Sequence, residues 1–289
     1  MPMNDPDIIH DYVEPPAGQY LIAPLKGYSV QDDRNLTPRT DADLVWHTDS
    51  RENLARRVIF VRHGRTQYNA IHRIQGMVDI PLDAKGMWQV TETGKELRRL
   101  YVDTDEEREQ GINQFVLASD LTRAAQTAHA FADPLGLDVH FDTRVRERYF
   151  GEWEAKSQKE LMENYPEDFR GWLEGKGSEL AHGAESKQHT GARGAEAVNE
   201  WAQKLDSSTD LYVFSHGSLI AQTIQYLLGK GTDGVYESLG SMRNAYWAIL
   251  EPVVRSDGSY RWRLMEFNHA PRIAEQGNWN GAMTPSGLS

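Results

Sequence analysis

Two histidines of this sequence stand in the same local setting, VIFVRHG and LYVFSHG, where a short apolar run is followed by a polar residue, a histidine and a glycine. They are His63 and His216. Runs of β-branched, aromatic or aliphatic residues are typical of strands buried on both faces of a sheet. Each histidine would then lie at the carboxyl end of a strand, the edge where open α/β sheets bind ligands. One such histidine is as often structural as functional, but the repeated pattern favours a functional pair.

Arg62, directly before His63, indicates which chemistry this pair could perform. A guanidinium stays charged at any working pH, and its planar donors match the oxygens of a phosphate. The same positive charge lowers the pKa of a neighbouring imidazole and keeps the ring neutral. If one ring nitrogen donates its proton to a fixed acceptor, such as a backbone carbonyl, the lone pair of the other can attack phosphorus. The sequence therefore predicts a histidine that accepts a phosphoryl group.

Several ordered motifs of the chain resemble those of the histidine phosphatase superfamily, which includes the cofactor-dependent phosphoglycerate mutases. These are RHG with Thr66 and Asn69, SDLxR at 119–123, RExxFGEWE at 146–154 and SHG at 215–217. The resemblance runs from about residue 58 to residue 267. RHG alone is a weak match, but the four motifs in this order, in strand and loop settings, are specific.

The resemblance implies a role for five side chains. His63 would accept the phosphoryl group, and Arg62, Arg123 and His216 would hold its oxygens. Glu147 matches the general acid of the family, which protonates the leaving group and then activates the attacking water. Preorganised cationic donors stabilise the charge of a transferred phosphoryl group without a metal, so we expect neither a metal nor an organic cofactor.

Four further positions match substrate contacts of the family. Asn69 matches a phosphate contact, Gln75 and Gly76 lie where the family reads the substrate, and Gly217 could offer a backbone N–H to the phosphate. Structural alternatives remain open for two of them, because Asn69 could equally cap a loop and Gln75 could lie on the surface.

Alternatives also remain for the charged candidates. Arg123 lies early in a predicted helix, where an arginine is usually solvated. Glu147 has three arginines within three residues and could belong to a surface salt-bridge cluster. Glu152 and Glu154 are neighbouring carboxylates that could be confused with it.

Patterns typical of strands and of helices alternate along the chain, as in α/β proteins. Strands are predicted at 58–61, 115–118 and 211–214, and helices at 84–101, 121–131, 195–205 and 218–228. Two late strand patterns, 245–250 and 260–267, are joined by a turn-like link at 256–259 that favours an antiparallel hairpin. The predicted fold is a three-layer α/β sandwich, with a mostly parallel central sheet, helices on both faces and an antiparallel edge.

The domain organisation follows from the same patterns. Residues 1–55 are rich in Asp, Pro and Thr and predict an N-terminal extension that wraps the surface or is partly disordered. Residues 56–270 form the predicted catalytic domain, and 271–289 a C-terminal tail. Within the domain, 175–194 has no apolar stripe and predicts a long mobile loop, either a lid or a surface insertion.

Composition and charge limit the classes of partner and of chemistry that we expect for this protein. The net charge is −12, which argues against a surface for nucleic acid, and the absence of cysteine removes disulfides, thiolate catalysis and Cys-ligated zinc. No apolar run approaches the roughly 20 residues of a membrane span, and the first residues are acidic where a secretory signal would be basic. We therefore predict a cytoplasmic protein without a membrane or nucleic-acid partner; its oligomeric state is not readable.

Two departures from the family pattern bear on activity. Arg65 stands where many members carry Glu or Gln, which predicts extra positive charge near the cleft and a more anionic substrate. The mutases carry a long insertion with paired arginines, whereas 171–194 contains only the isolated Arg193. This difference favours hydrolysis over mutase activity.

The predicted function is metal-independent hydrolysis of the phosphate monoester of a small metabolite, through a phosphohistidine on His63. The alternatives are a mutase-type phosphotransferase and a non-catalytic phosphate-binding module. A metal hydrolase using His63 and His216 is disfavoured, because Arg62 would repel a cation and the spacing matches no short ligand pair.

Overall fold

Seven strands form one mixed sheet in the computed structural model, which describes residues 46–48, 51–229, 239–276 and 279. They are β1 (Trp46–His47), β2 (Arg57–Arg62), β3 (Asn113–Ala118), β4 (Val139–Phe141), β5 (Thr209–Ser215), β6 (Trp247–Val254) and β7 (Ser259–His269). Their order is β1-β7-β6-β2-β5-β3-β4. The neighbours β2, β5, β3 and β4 are parallel, whereas β6, β7 and β1 pair antiparallel on the other side of β2.

The two apolar runs that carry the histidines lie side by side in the middle of this sheet. β2 pairs with β5 in a parallel register that sets Arg62 opposite Ser215, and the N–H of His63 donates to the carbonyl of Ser215 at 2.9 Å. Because both strands run in the same direction, His63 and His216 leave the sheet at the same edge. Every residue of β5 is buried, as expected for a strand covered on both faces.

Helices cover the two faces of the sheet. Those of the described residues are α1 (Gln67–Ala70), α2 (Ala84–Tyr101), α3 (Asp105–Glu109), α4 (Thr122–Ala132), α5 (Gln158–Asn164), α6 (Pro166–Leu173), α7 (Lys187–Ala202), α8 (Gly217–Leu227) and α9 (Ile273–Gln276). Short 3-10 helices lie at Arg51–Asn53, Asp133–Leu135, Thr143–Val145, Gly151–Trp153 and Ser178–His182.

Alternate side chains of β2 belong to two separate hydrophobic clusters. Val58 and Phe60 join the cluster that contains apolar residues of α7 and α8, whereas Ile59 and Val61 join the cluster with apolar residues of α2 and α4. Successive side chains of a strand point to opposite faces, so each cluster fills one of the two layers between sheet and helices. The predicted three-layer α/β fold, with its parallel centre and antiparallel edge, is confirmed.

The prediction of a loop over 175–194 is wrong, because α7 begins at Lys187. This part of the sequence shows no apolar stripe because the residues of α7 that face α8 are small, which lets the two helices pack closely. A Cβ at Gly191 would lie 2.7 Å from a backbone oxygen of α8, and one at Gly194 would overlap the Thr223 hydroxyl. Glycine therefore serves close helix packing here rather than a turn.

The ends of the domain are only partly within the described residues. β1 pairs with β7, placing Trp46 opposite Tyr260, and Leu54 and Ala55 are buried in the core. Residues 1–45 and 49–50 of the predicted extension (1–55) lie outside the described residues, as do 277–278 and 280–289 of the predicted tail (271–289). The domain limits stay a prediction.

Two kinds of feature are missing from the described residues. None of their helices combines the length and apolar character needed to cross a bilayer. None of their His, Asp and Glu side chains gather in groups of three or more that could hold a metal ion.

Candidate active site

His63 is held in one tautomer by its own neighbour. Its Nδ1 lies 2.7 Å from the carbonyl oxygen of Gly64, and the side chain is 2% exposed. A carbonyl oxygen only accepts, so Nδ1 carries the proton and donates it, which leaves the lone pair on Nε2. This is the arrangement that the sequence predicted for a nucleophilic ring.

The electrostatic surroundings of His63 keep the ring neutral. Burial lowers its pKa well below the usual 6.5, and the positive charges of Arg123 and Arg62 lower it further. The hydrogen bond to Gly64 opposes this shift without reversing it. The Nε2 lone pair is therefore present at neutral pH.

His216 lies beside His63, with 5.2 Å between the ring centroids. Its Nε2 is 2.8 Å from the Ser119 hydroxyl, which belongs to the SDLxR motif, whereas its Nδ1 is buried without a hydrogen-bond partner among the described residues. Burial and then the charge of Arg123 lower the pKa of His216 well below its usual value. Both rings are thus neutral.

Two arginines complete this cluster. Arg62 donates from Nη1 to the carbonyl of Met242, and a Cβ at Gly217 would lie 3.1 Å from the Arg62 Nε. Arg123 is fully buried and not solvated, and it donates to the carbonyls of Gly76 and Val78, each at 2.8 Å. Burial lowers the pKa of Arg123 to about 10, so the side chain is still charged at neutral pH.

Three polar atoms of the cluster are buried without a hydrogen-bond partner among the described residues: Nε of Arg62, Nε of Arg123 and Nδ1 of His216. Each such atom costs about 1–3 kcal/mol when nothing accepts or donates to it. Native proteins rarely keep several at one place unless a bound molecule uses them. The geometry and charge suit a tetrahedral anion beside the His63 ring.

The Glu147 carboxylate is fixed by the N–H group of the next residue and by two N–H groups at the start of α8. It accepts hydrogen bonds from the N–H groups of Arg148 at 2.8 Å, Ser218 at 3.2 Å and Leu219 at 2.9 Å. The neighbouring arginines pair with other carboxylates: Arg144 with Asp142, Arg146 with Asp120 and Arg148 with Glu179. The alternative of a surface salt-bridge cluster around Glu147 is therefore wrong.

The loop that carries Glu147 is held by Arg193, whose role sequence reasoning missed. Arg193 donates to the carbonyls of Arg144 at 2.7 Å, Arg146 at 2.8 Å and Glu147 at 2.9 Å. It also forms a buried ion pair with Glu185, with 2.7 Å between Arg193 Nε and Glu185 Oε1. Although burial raises the pKa of Glu185, Arg193 brings it down to about 2. The only sequence signal was the isolation of this arginine in its segment.

The remaining predicted polar contacts form a network under the His63 loop. Asn69 caps α1 reciprocally with Thr66, and Gln75, only 9% exposed, accepts from the Thr66 hydroxyl at 2.9 Å. The surface alternative for Gln75 is wrong. Asn244, which no motif indicated, donates at 3.1 Å to both the His63 carbonyl and the Asn69 side chain.

Glu154 is a buried carboxyl beneath the loop that Arg123 contacts. Its Oε1 accepts from the N–H of Met77 at 2.8 Å and of Phe150 at 3.1 Å, and its Oε2 is buried without a partner among the described residues. Burial raises its pKa to about 7. Gly76 has a φ of +54°, and a Cβ there would overlap Oε1 of Glu154, so only glycine fits.

Arg65 does not supply the free charge that its position suggested. Its Nε lies 2.8 Å from Oδ2 of Asp83, so its charge is compensated by an ion pair. The inference from Arg65 to a more anionic substrate therefore loses its basis.

A cavity of about 520 Å³ opens at this edge of the sheet. Arg62, Glu147 and Gly217 line one part of it, and Trp172 and Lys187 line another. His63, Arg123 and His216 lie beneath the surface and do not line it. The volume suits a small molecule.

Comparisons with known proteins found related sequences and a related structure. A family model described as the histidine phosphatase superfamily (branch 1) matches residues 58–264. Glucosyl-3-phosphoglycerate phosphatase of Mycolicibacterium vanbaalenii is 32% identical over 231 residues, which is 76% of this chain and 97% of that protein. Probable phosphoglycerate mutase GpmB of Salmonella paratyphi B is 34% identical over 176 residues, 60% of this chain and 74% of that protein. The structure of a mycobacterial glucosyl-3-phosphoglycerate phosphatase with VO3 superposes with a TM-score of 0.60 at 27% identity, covering 74% of this chain and 100% of that one.

Replacing Glu154 with Gln should flatten the pH dependence of stability between about pH 4.5 and about pH 7. The pKa of this carboxyl is raised from 4.5 to about 7, so its contribution to stability is full below 4.5 and is lost as the pH rises through 7. The difference between these values corresponds to about 3 kcal/mol. Urea denaturation across this range measures the effect. The exposed Glu152→Gln should keep the wild-type slope; an unchanged slope in Glu154→Gln would contradict the account.

Replacing Arg193 with Met should destabilise the protein by about 3–5 kcal/mol, because a buried carboxylate at Glu185 is left without its guanidinium. The double variant Arg193→Met/Glu185→Met should lose less than the sum of the single variants, since it leaves no buried charge. Urea denaturation of the four proteins in this cycle measures both values. A loss below about 1 kcal/mol for Arg193→Met, similar to the exposed control Arg170→Met, would show that the pair does not hold the loop.

Proposed function

Since this chain belongs to the histidine phosphatase superfamily, with relatives that are named phosphatases, we propose that it hydrolyses the phosphate monoester of a small metabolite through a phosphohistidine on His63, with Glu147 as the general acid. The observation that supports this proposal most is a set of three buried polar atoms, of Arg62, Arg123 and His216, which have no hydrogen-bond partner in the described part of the chain and lie next to a neutral imidazole. A transferred phosphoryl group spreads its charge over three equatorial oxygens. Three fixed polar groups meet that requirement without rearrangement.

The first step forms the phosphoenzyme. The Nε2 lone pair of His63 forms a bond to phosphorus as the ester P–O bond breaks, and the bonding electrons leave with the ester oxygen. Glu147 in its acid form gives its proton to that oxygen, so the product leaves as an alcohol. Nδ1 keeps its proton and its hydrogen bond to the Gly64 carbonyl, which stabilises the charge that develops on the ring.

The second step returns the enzyme to its starting state. Glu147, now a carboxylate, takes a proton from water while the water oxygen forms a bond to phosphorus. The N–P bond breaks and its electrons return to Nε2. Inorganic phosphate leaves, and His63 is again neutral. The three backbone N–H groups that hold Glu147 keep it at the pocket wall through both steps.

Hydrolysis is proposed over phosphotransfer because of where Arg193 lies. It is the only arginine of 171–194, and it is 7% exposed and engaged with Glu185 and three carbonyls. It is therefore occupied in holding the Glu147 loop and cannot bind an acceptor in place of water. Glucosyl-3-phosphoglycerate, taken from the name of the relative at 32% identity, is the first substrate to assay.

Replacing His63 with Ala should abolish turnover of any phosphate ester, because it removes the proposed phosphoryl acceptor. Acid quenching of the wild-type protein with a labelled ester should trap acid-labile phosphate, which is absent in the variant. The activity of the wild-type protein should survive EDTA. The exposed His129→Ala is the matched control. Activity of His63→Ala above about one per cent of wild type would overturn the proposed nucleophile.

Replacing Glu147 with Gln should slow hydrolysis of alkyl phosphates by about 10²–10⁴-fold, since a poor leaving group needs a proton. The formation of the phosphoenzyme from p-nitrophenyl phosphate should slow much less, because nitrophenolate leaves unprotonated. Burst kinetics with both esters separate these effects, with Glu152→Gln as the control. Equal losses for both leaving groups in the burst phase would contradict a general-acid role.

A further inference from the structure

The cavity beside the candidate active site extends beyond Arg62 and Glu147. Arg62 and Glu147 line the same cavity of about 520 Å³ as Phe150, Trp172 and Lys187, which come from other parts of the chain. A phosphate group fills only a fraction of this volume. The other lining groups are therefore placed to contact the part of the substrate that carries the phosphate.

Most charges of the cavity wall are already compensated. Arg148 is buried and pairs with Glu179, with 2.7 Å between Nη2 and Oε1. Glu147 is held by backbone N–H groups, and Arg62 belongs to the phosphate end. Among the described residues, Lys187 lines the wall as a half-buried cation with no ion pair or hydrogen bond of its side chain.

The nearest carboxylate in sequence is not available to Lys187. Glu185 is fully buried, and both its oxygens are taken: Oε1 by His189 and Arg193, and Oε2 by Arg193 and the N–H of Tyr149. Helix stability does not explain the lysine either, because it is the first residue of α7, the end at which a helix dipole disfavours cations. Among the residues that the structure describes, this half-buried positive charge therefore has neither a partner nor a structural reason.

We infer that Lys187 binds a carboxylate of the substrate, so that the cavity selects phosphorylated hydroxy acids over phosphate esters with a neutral tail. This inference rests on the proposed function and assigns the far end of the same site. The aromatic contact between Phe150 and Trp172, with 6.2 Å between centroids, forms an apolar wall of the cavity. The carbon skeleton of the substrate lies along this wall, with one anionic group at each end.

A matched pair of substrates tests the inference. 3-Phosphoglycerate and glycerol 3-phosphate differ mainly in a carboxylate that replaces a hydroxymethyl group. Lys187→Met keeps the stem of the side chain and removes its charge; Lys159→Met, on the exposed face of α5 outside the cavity, is the control. For Lys187→Met we expect kcat/KM on 3-phosphoglycerate to fall about tenfold through KM, a change of about 1.4 kcal/mol. On glycerol 3-phosphate it should change less than about twofold, and Lys187→Arg should restore most of the loss.

The inference is overturned if Lys187→Met lowers kcat/KM equally on both substrates, or lowers it on neither. Its failure differs from that of the proposed function, which fails if the wild-type protein releases no phosphate from these esters or from p-nitrophenyl phosphate. If no phosphate is released, titration calorimetry with 3-phosphoglycerate on the wild-type protein and on Lys187→Met tests whether Lys187 binds the carboxylate. Binding of 3-phosphoglycerate that weakens about tenfold in Lys187→Met supports it, and unchanged or absent binding overturns it.

Discussion

The hydrogen bond from Nδ1 of His63 to the Gly64 carbonyl is the interaction on which the site depends. It fixes the proton on one nitrogen and leaves the lone pair on the other, in a ring that lies beside His216 and feels the charges of Arg62 and Arg123. The parallel pairing of β2 with β5 places this ring beside His216 at one sheet edge. Burial, added to the two positive charges, then holds the pKa of His63 well below its usual value. A neutral ring beside two guanidinium groups thus follows from one local geometry.

Such a cluster is costly, since each buried polar atom without a partner costs about 1–3 kcal/mol, and the surrounding loops are built to tolerate it. Arg123 anchors the loop at 76–78 through two carbonyls, and Glu154 holds the same loop from below. The buried pair of Arg193 and Glu185 secures the loop of Glu147. These contacts keep the functional atoms in place at a cost in stability that the two large apolar cores offset.

The sequence predicted the features that depend on local patterns. The buried runs at 58–61 and 211–214 specified two adjacent strands, and hence the placement of both histidines, because strand periodicity and sheet-edge geometry are local rules. It failed where long-range packing decides. The start of α7 was missed because its glycines serve contact with α8, and the compensation of Arg65 by Asp83 and the bonds of Asn244 join residues far apart in sequence.

The most direct test of the central claim is the protonation state of His63 itself. Nitrogen NMR of protein labelled at histidine, with the His63 signals assigned by their loss in His63→Ala, reports each ring nitrogen separately. We predict a protonated Nδ1 and an unprotonated Nε2, and we expect this state to persist as the pH falls through 6.5, because burial and two arginines oppose a second proton. A protonated Nε2, or a doubly protonated ring at neutral pH, would contradict it.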